Sequence, residues 1–356
     1  LKVPHCLAGF PPIFHPLPLG GLAAMLWQLG RVRLAPRSVV LRVLVAAGAA
    51  VAALGSEEAR RRYDEQEALE AAYLATAAYC GAPRTSRAAL EGWRCGPACD
   101  GVRGVRSVRQ VYAGSRWADA SAFVARWRGR CLVAFRGSAD KVDWLEDVRS
   151  ALLVDPAAHG MGCPDGNSSC LVGSGWLAAY GAIRNYVRGN LTAIGCHPGS
   201  GLVFAGHSLG GAAAQLAMFD LGLQGYRAQR SYVFGSPRTG NQNWVEAFKA
   251  VLGEDSVYHV TYRHDPVPHL PPLAIGFADT PPEVFYDGNT SGGYKLCNAS
   301  NADSCSGRYP FLPRLVEACV RRIRDCDHLK YMTARKTIPM SGETCAVDAP
   351  VAEVQV

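Results

Sequence analysis

A serine in the pattern Gly-x-Ser-x-Gly, an acidic residue after a later β-rich run and a histidine near the C-terminus could together carry out acyl transfer. The serine is Ser208 in GHSLG, residues 206–210. The pattern alone is weak, because glycine and serine are common. Here the run Leu202 to Gly206 precedes it and the alanine-rich stretch Ala212 to Phe219 follows. Strand, sharp turn and helix in that order would lift the Ser208 hydroxyl clear of the backbone, and Gly206 and Gly210 suit the crowding of such a turn. A serine hydroxyl is a poor nucleophile near neutral pH, so a base must take its proton and a carboxylate must orient the base. On this kind of turn the partners follow in the order acid, then histidine. Of the 9 histidines, His5 and His15 are N-terminal, and His159, His197 and His207 precede Ser208. His259 falls inside a β-rich run and His264 adjoins Asp265, which leaves His269 and His328. Asp265 is favoured as the acid, because the run ending at Tyr262 delivers it to the carboxyl end of a strand, where open parallel sheets place their sites; Asp279 and Asp287 are the alternatives. His269 lies only four residues on, within the proline-rich HDPVPHLPP, so His328 is the expected base, against the plainer reading of a surface histidine beside Asp327. The oxyanion needs donors. One is the Leu209 N–H, directly after the nucleophile. A second is expected after an earlier strand, where Cys131 to Phe135 runs into Arg136-Gly137-Ser138, and nothing in the residues alone singles out Ser138.

These residues need a scaffold. Ser56 to Cys80 reads as a helix with Ser56 as N-cap, ended by Gly81 and Pro83. Val105 to Tyr112, Ala122 to Trp127, Cys131 to Phe135, Ser231 to Phe234 and Ser256 to Tyr262 read as strands. Trp176 to Val187 and Asn243 to Val251 read as helices, and the Asp/Pro/Gly/Asn/Ser-rich stretch from Leu153 to Ser169 as a surface loop. Strands alternating with helices predict an α/β fold, a mostly parallel central sheet with helices on both faces.

The chain has 356 residues, 49% hydrophobic and 19% charged, which is globular composition. Its net charge of +7 is concentrated at the start: residues 1–55 contain Lys2, Arg31, Arg33, Arg37 and Arg42 and no acidic residue. The remainder is near balance, and no basic run argues for a nucleic-acid partner. The apolar run Val43 to Leu54 is shorter than the roughly 20 residues a membrane span requires and matches the core of a signal peptide. Residues 1–55 are therefore expected to be a leader, with translation starting at Met25, and residues 56–356 a single domain with no integral membrane segment. An organelle transit peptide is the alternative. Of the 13 cysteines only Cys6 lies in the leader, leaving an even number, as suits an oxidising compartment. Sequons at Asn167, Asn190, Asn289 and Asn298 fit secretion. Spacing suggests local bridges Cys95–Cys99, Cys163–Cys170, Cys297–Cys305 and Cys319–Cys326. Cys95 and Cys99 could instead be half of a metal site, but no second pair at zinc spacing follows.

FRGS at 135–138, WLEDV at 144–148, GWLAAY at 175–180, FAGHSLGGAAA at 204–214, FGSPRTGN at 234–241, HDPVPHLPP at 264–272 and DHLKY at 327–331 together resemble the fungal-type, or class 3, lipases of the α/β-hydrolase superfamily. The resemblance spans about Tyr73 to Tyr331. It implies Ser208 as nucleophile, Asp265 as acid, His328 as base, and Ser138 with Leu209 as oxyanion donors, with no cofactor and no metal. It further implies a Cys80–Cys345 bridge, and Cys95–Cys99 and Cys297–Cys305 resemble that family's small disulfide loops. The cysteine-bearing loop Asp155 to Val172 is longer than that pattern, and Cys319 and Cys326 crowd the approach to His328, which bears on the shape of the acyl site.

In that family a helical lid follows the oxyanion serine, and Asp140 to Leu152 occupies its place. Val142, Leu145, Val148 and Leu152 make an apolar helical stripe, with Asp140, Lys141, Asp143, Glu146 and Arg149 facing away. As a lid, Trp144 and that stripe would cover the site in water and dock transiently at a lipid–water interface. The expected activity is a secreted triacylglycerol lipase acting on acylglycerols. A feruloyl-type or short-chain carboxylesterase on the same fold and a secreted protein with a decayed site are the alternatives.

Overall fold

A computed structural model describes residues 63–345, apart from 82–85, 116–117, 139–151, 165, 167–168, 254–255, 281, 289–292, 298–303, 310–325 and 334–335. All of these belong to one compact unit, Arg60–Val356. The leader, the Met25 start, Ser56 and Asn167, Asn289 and Asn298 lie outside the described residues.

Four longer helices are α1 (Glu65–Ala77), α2 (Ser174–Ala193), α3 (Leu209–Leu223) and α4 (Gln242–Leu252). The strands are β1 (Val105–Ser115), β2 (Ala118–Trp127), β3 (Arg130–Phe135), β4 (Leu153–Val154), β5 (Val172–Gly173), β6 (Gly201–His207), β7 (Arg227–Ala228), β8 (Ser231–Phe234), β9 (Val257–Tyr262), β10 (Glu283–Tyr286), β11 (Lys295–Cys297), β12 (Lys330–Thr333) and β13 (Lys336–Pro339). The main sheet runs β1-β2-β3-β6-β8-β9-β10-β11, with β7 beside β6. Its centre, β3 to β10, is parallel, while β1, β2 and β11 pair antiparallel at the edges. This is the expected mostly parallel sheet. β6 shows why its sequence is a continuous apolar run: Leu202 and Phe204 face the core under α2, α3 and α4, and Val203 and Ala205 face the core under α1. A central strand buried on both faces needs apolar residues at every position.

The first helix begins later than its composition predicts. Asp64 is extended and its carboxylate accepts from the Glu67 N–H at 2.9 Å, so α1 starts at Glu65. A side chain that satisfies an orphan first-turn donor fixes the start more firmly than alanine content does. β10 to β13 carry no periodic signal of their own and take shape through pairing, β10 parallel to β9 and β12 antiparallel to β13.

Cys95–Cys99, Cys163–Cys170, Cys297–Cys305 and Cys80–Cys345 are bonded as expected. Cys326 is also disulfide-bonded, with its partner outside the described residues. Cys131–Cys196 was not legible from spacing. It joins the first turn of β3 to the segment after α2 because α2 packs on β1 and β2. Closing a 65-residue loop restricts the unfolded chain by roughly 4 kcal/mol.

α2 and α3 are clamped by a buried ion cluster. Asp220 accepts from Tyr180 at 2.7 Å, from Arg184 Nε at 2.9 Å and from Arg188 at 2.8 Å. Asp220→Ala would leave two partly buried guanidiniums and a buried phenol without their acceptor. It is expected to destabilise the protein by about 3 kcal/mol, measurable as a lower urea midpoint.

His259, on β9, is held uncharged by burial, which pushes its pKa down to about 4. The unfolded chain titrates this imidazole near 6.5 and so binds the proton first as pH falls. Its contribution to stability is therefore complete above about pH 6.5 and is lost between 6.5 and 4, a change of roughly 3 kcal/mol. Glu283, whose carboxyl is raised by burial, acts in the opposite sense. The comparison that isolates His259 is wild type against His259→Leu: the melting temperature of the variant should fall less between pH 7.5 and 4.5.

Candidate active site

Ser208 stands between β6 and α3 with φ 59° and ψ −132°, a conformation costly for a side chain with a Cβ. Its surroundings impose it. The Ser208 N–H donates to the Phe234 carbonyl at 2.9 Å, and its own carbonyl accepts from Gly211 N–H at 2.8 Å. The flanking glycines are sterically required: a Cβ at Gly206 would lie 2.3 Å from the Gly210 carbonyl oxygen, and one at Gly210 2.5 Å from that of Phe135. The turn therefore presses Ser208 against the end of β3.

Asp265 follows β9 by a tight turn, its N–H donating to the Tyr262 carbonyl at 3.0 Å. Its two oxygens have separate duties. Oδ1 accepts from Val267 N–H at 2.9 Å, and Oδ2 faces His328 Nδ1 at 2.9 Å. Both side chains are buried. Asp327, next to His328, accepts from the His264 N–H at 3.3 Å, which ties the His328 loop to the Asp265 loop.

Three residues here were missed as site residues, although two sit within motifs already noted. The Tyr331 hydroxyl donates to Asp265 Oδ2. Burial, and then the carboxylate beside it, push its pKa far up, so it stays a donor. His207, inside GHSLG, ties the Ser208 turn to the His328 loop: its Nε2 lies 2.8 Å from the His328 carbonyl oxygen, and the two rings are 4.6 Å apart. A carbonyl only accepts, so Nε2 carries the proton. Burial, reinforced by His328, holds the His207 pKa well below its usual value. Neutral His207 then accepts at Nδ1 from the Tyr79 hydroxyl at 2.8 Å. The tautomer follows from its neighbours.

Ser138 lies one residue beyond Gly137, where a Cβ would meet Ser208 Cβ at 3.0 Å. The Ser138 hydroxyl is buried and has no hydrogen-bond partner among the described residues. Leu209 opens α3, where first-turn N–H groups have no intrahelical acceptor. The Ser138 hydroxyl and the Leu209 N–H thus stand near Ser208 uncommitted within the loop or helix that carries them.

The alternatives fall elsewhere. Asp279 bonds Arg238 Nε at 2.6 Å, and the His269 carbonyl accepts from the same guanidinium. Asp287 follows β10. Asp327 is engaged by Arg263 and His264, and no cluster of three potential metal ligands occurs among the described residues. The lid residues Val142, Trp144, Leu145 and Val148 lie outside the described residues.

Residues 132–275 match the class 3 lipase family. That segment is similar to the class 3 lipases. The chain is 30% identical over 182 residues to a secreted mono- and diacylglycerol lipase A of Penicillium cyclopium, covering 50% of this chain and 56% of that protein. It is 30% identical over 187 residues to a secreted mono- and diacylglycerol lipase 1 of Fusarium solani, covering 51% and 53%. The chain spans about half the length of these curated relatives. The Rhizomucor miehei lipase–propeptide complex superimposes with a TM-score of 0.57 at 25% identity, over 74% of this chain and 79% of that one. The architecture is the α/β-hydrolase fold.

Proposed function

We propose that this protein is a secreted serine hydrolase of acylglycerol esters. The observation that carries the reading is the buried Asp265–His328 pair, braced by Tyr331 and joined through His207 to the strained turn of Ser208. His328 takes the Ser208 proton as the hydroxyl oxygen attacks the ester carbonyl, and Asp265 steadies the imidazolium that results. The tetrahedral oxyanion is met by Leu209 N–H and Ser138. Collapse expels the alcohol, which receives the proton from His328. Water, activated by the same imidazole, then releases the carboxylic acid from the acyl-serine.

An acyl chain suits the surroundings better than an aromatic acid does. Leu152, Leu273 and Ile275 are 70%, 55% and 55% exposed, and a Cβ at Gly276 would lie 3.2 Å from Leu153 Cδ1, which sets the two segments bearing them side by side. Exposed apolar side chains on neighbouring segments fit a protein that works at a lipid surface. The paired cysteines support an oxidising, extracellular setting.

Hydrolysis of p-nitrophenyl esters from acetate to palmitate tests this reading. Rates are expected to peak at medium or long chains and to rise more steeply above the solubility limit than below it. A preference for acetate or for feruloyl esters, with no rise at the limit, would favour the esterase alternative.

A further inference from the structure

The sequon Asn190-Leu191-Thr192 lies in the last turn of α2, and the chain's three other sequon asparagines fall outside the described residues. Leu191 is fully buried, which fixes the roll of the helix: Thr192 is turned out to solvent, and Asn190 stands at the edge of the exposed face. Asn190 Nδ2 donates to the Tyr186 carbonyl at 2.9 Å, so the amide lies back over the turn that carries Tyr186. That ring is 60% exposed, the most of any tyrosine among the described residues. Gly189 leaves open space between the two, since a Cβ there would meet nothing within 4 Å.

We propose that Asn190 is a modification site, N-glycosylated, with the first N-acetylglucosamine laid against the Tyr186 ring; its exposure to the transferase rests on the secreted reading above. The sugar donor is a polyprenyl-diphosphate-linked oligosaccharide. Asn190 Nδ2 bonds to C1 of its first sugar, the bond from C1 to the diphosphate oxygen breaks, and one amide proton passes to the departing diphosphate. The second amide hydrogen remains, so the bond to the Tyr186 carbonyl survives the modification. A pyranose carries C–H groups on one face and hydroxyls at its rim, so it covers an aromatic ring while its polar groups stay in water.

The position leaves the opposite end of the helix bare. Ser174 opens α2, and its hydroxyl accepts from the Leu152 N–H at 3.2 Å, which places the exposed Leu152 there. Roughly 24 Å of helix separates Ser174 from Asn190. A glycan at Asn190 therefore shields the far end of α2 without covering Leu152.

The test expresses the full-length chain in yeast, with its own residues 1–55 directing export. Peptide-N-glycosidase converts each glycosylated asparagine to aspartate, and tandem mass spectrometry then reads position 190 directly. Asn190 should be modified. Asn190→Gln should lose the glycan at this site, and so should Thr192→Ala, which keeps the asparagine but breaks the sequon. Nitration by tetranitromethane, before any deglycosylation, reads Tyr186: covering most of a ring that is 60% exposed should slow it at least about threefold relative to Asn190→Gln. An unmodified Asn190 in exported protein, a glycan that persists in Thr192→Ala, or equal nitration in wild type and Asn190→Gln would overturn the proposal. Failure of the chain to leave the cell would count against the secreted reading alone, and the same measurements would then be made on full-length protein exported behind a host signal sequence.

Discussion

Ser208→Ala is expected to lower kcat on p-nitrophenyl butyrate by at least about a thousandfold, the scale of losing a member of a catalytic triad. The oxyanion donors and the binding surface survive the change, so residual turnover above the uncatalysed rate should remain. Ser208 also sits at positive φ, which separates chemistry from stability. Ser208→Ala keeps the Cβ and its strain, whereas Ser208→Gly removes both. The glycine variant should be equally inactive yet unfold at a higher temperature than the alanine variant. Undiminished activity in either variant would remove Ser208 from the mechanism.

Asp265→Asn should be comparably damaging, with a fall in kcat of about ten-thousandfold. The reason lies in the direction of the three hydrogen bonds. Oδ1 accepts from Val267 N–H, and Oδ2 accepts from His328 and from Tyr331. An amide must turn its NH2 toward one of these donors. Toward Val267 it opposes a backbone N–H that cannot rotate away. Toward His328 it forces the imidazole to present a bare Nδ1, which moves the proton to Nε2 and leaves the ring unable to accept from Ser208. Tyr331→Phe removes one of two donors to Oδ2 and leaves the tautomer intact. It should cost only about tenfold, with KM little changed. Equal losses in the two variants would mean that Asp265 acts through packing and not through orientation.

Much of this was readable in the chain. GHSLG lies between an apolar run and an alanine-rich run, and a strand–turn–helix follows from those neighbours with no information from elsewhere. The parallel sheet was legible for the same reason, since β6 and β8 are apolar on both faces and central strands must be. The small bridges Cys95–Cys99 and Cys297–Cys305 are local, so spacing sufficed. Asp265 could be approached by its place after a strand, and His328 only by elimination.

Tertiary structure decided the rest. Tyr79 and His207 are 128 residues apart, and His207 and His328 are 121 apart, and nothing periodic connects them. Their contact exists because α1 packs against β6 while the β12–β13 hairpin brings the base loop over the same strand ends. Cys131–Cys196 and the Asp220 cluster have the same origin. Local sequence sets which backbone shapes are cheap, and so it determined the nucleophile's turn and the alternation of strands and helices. Which polar side chains end up facing one another depends on how those elements pack, and that is a property of the folded chain alone.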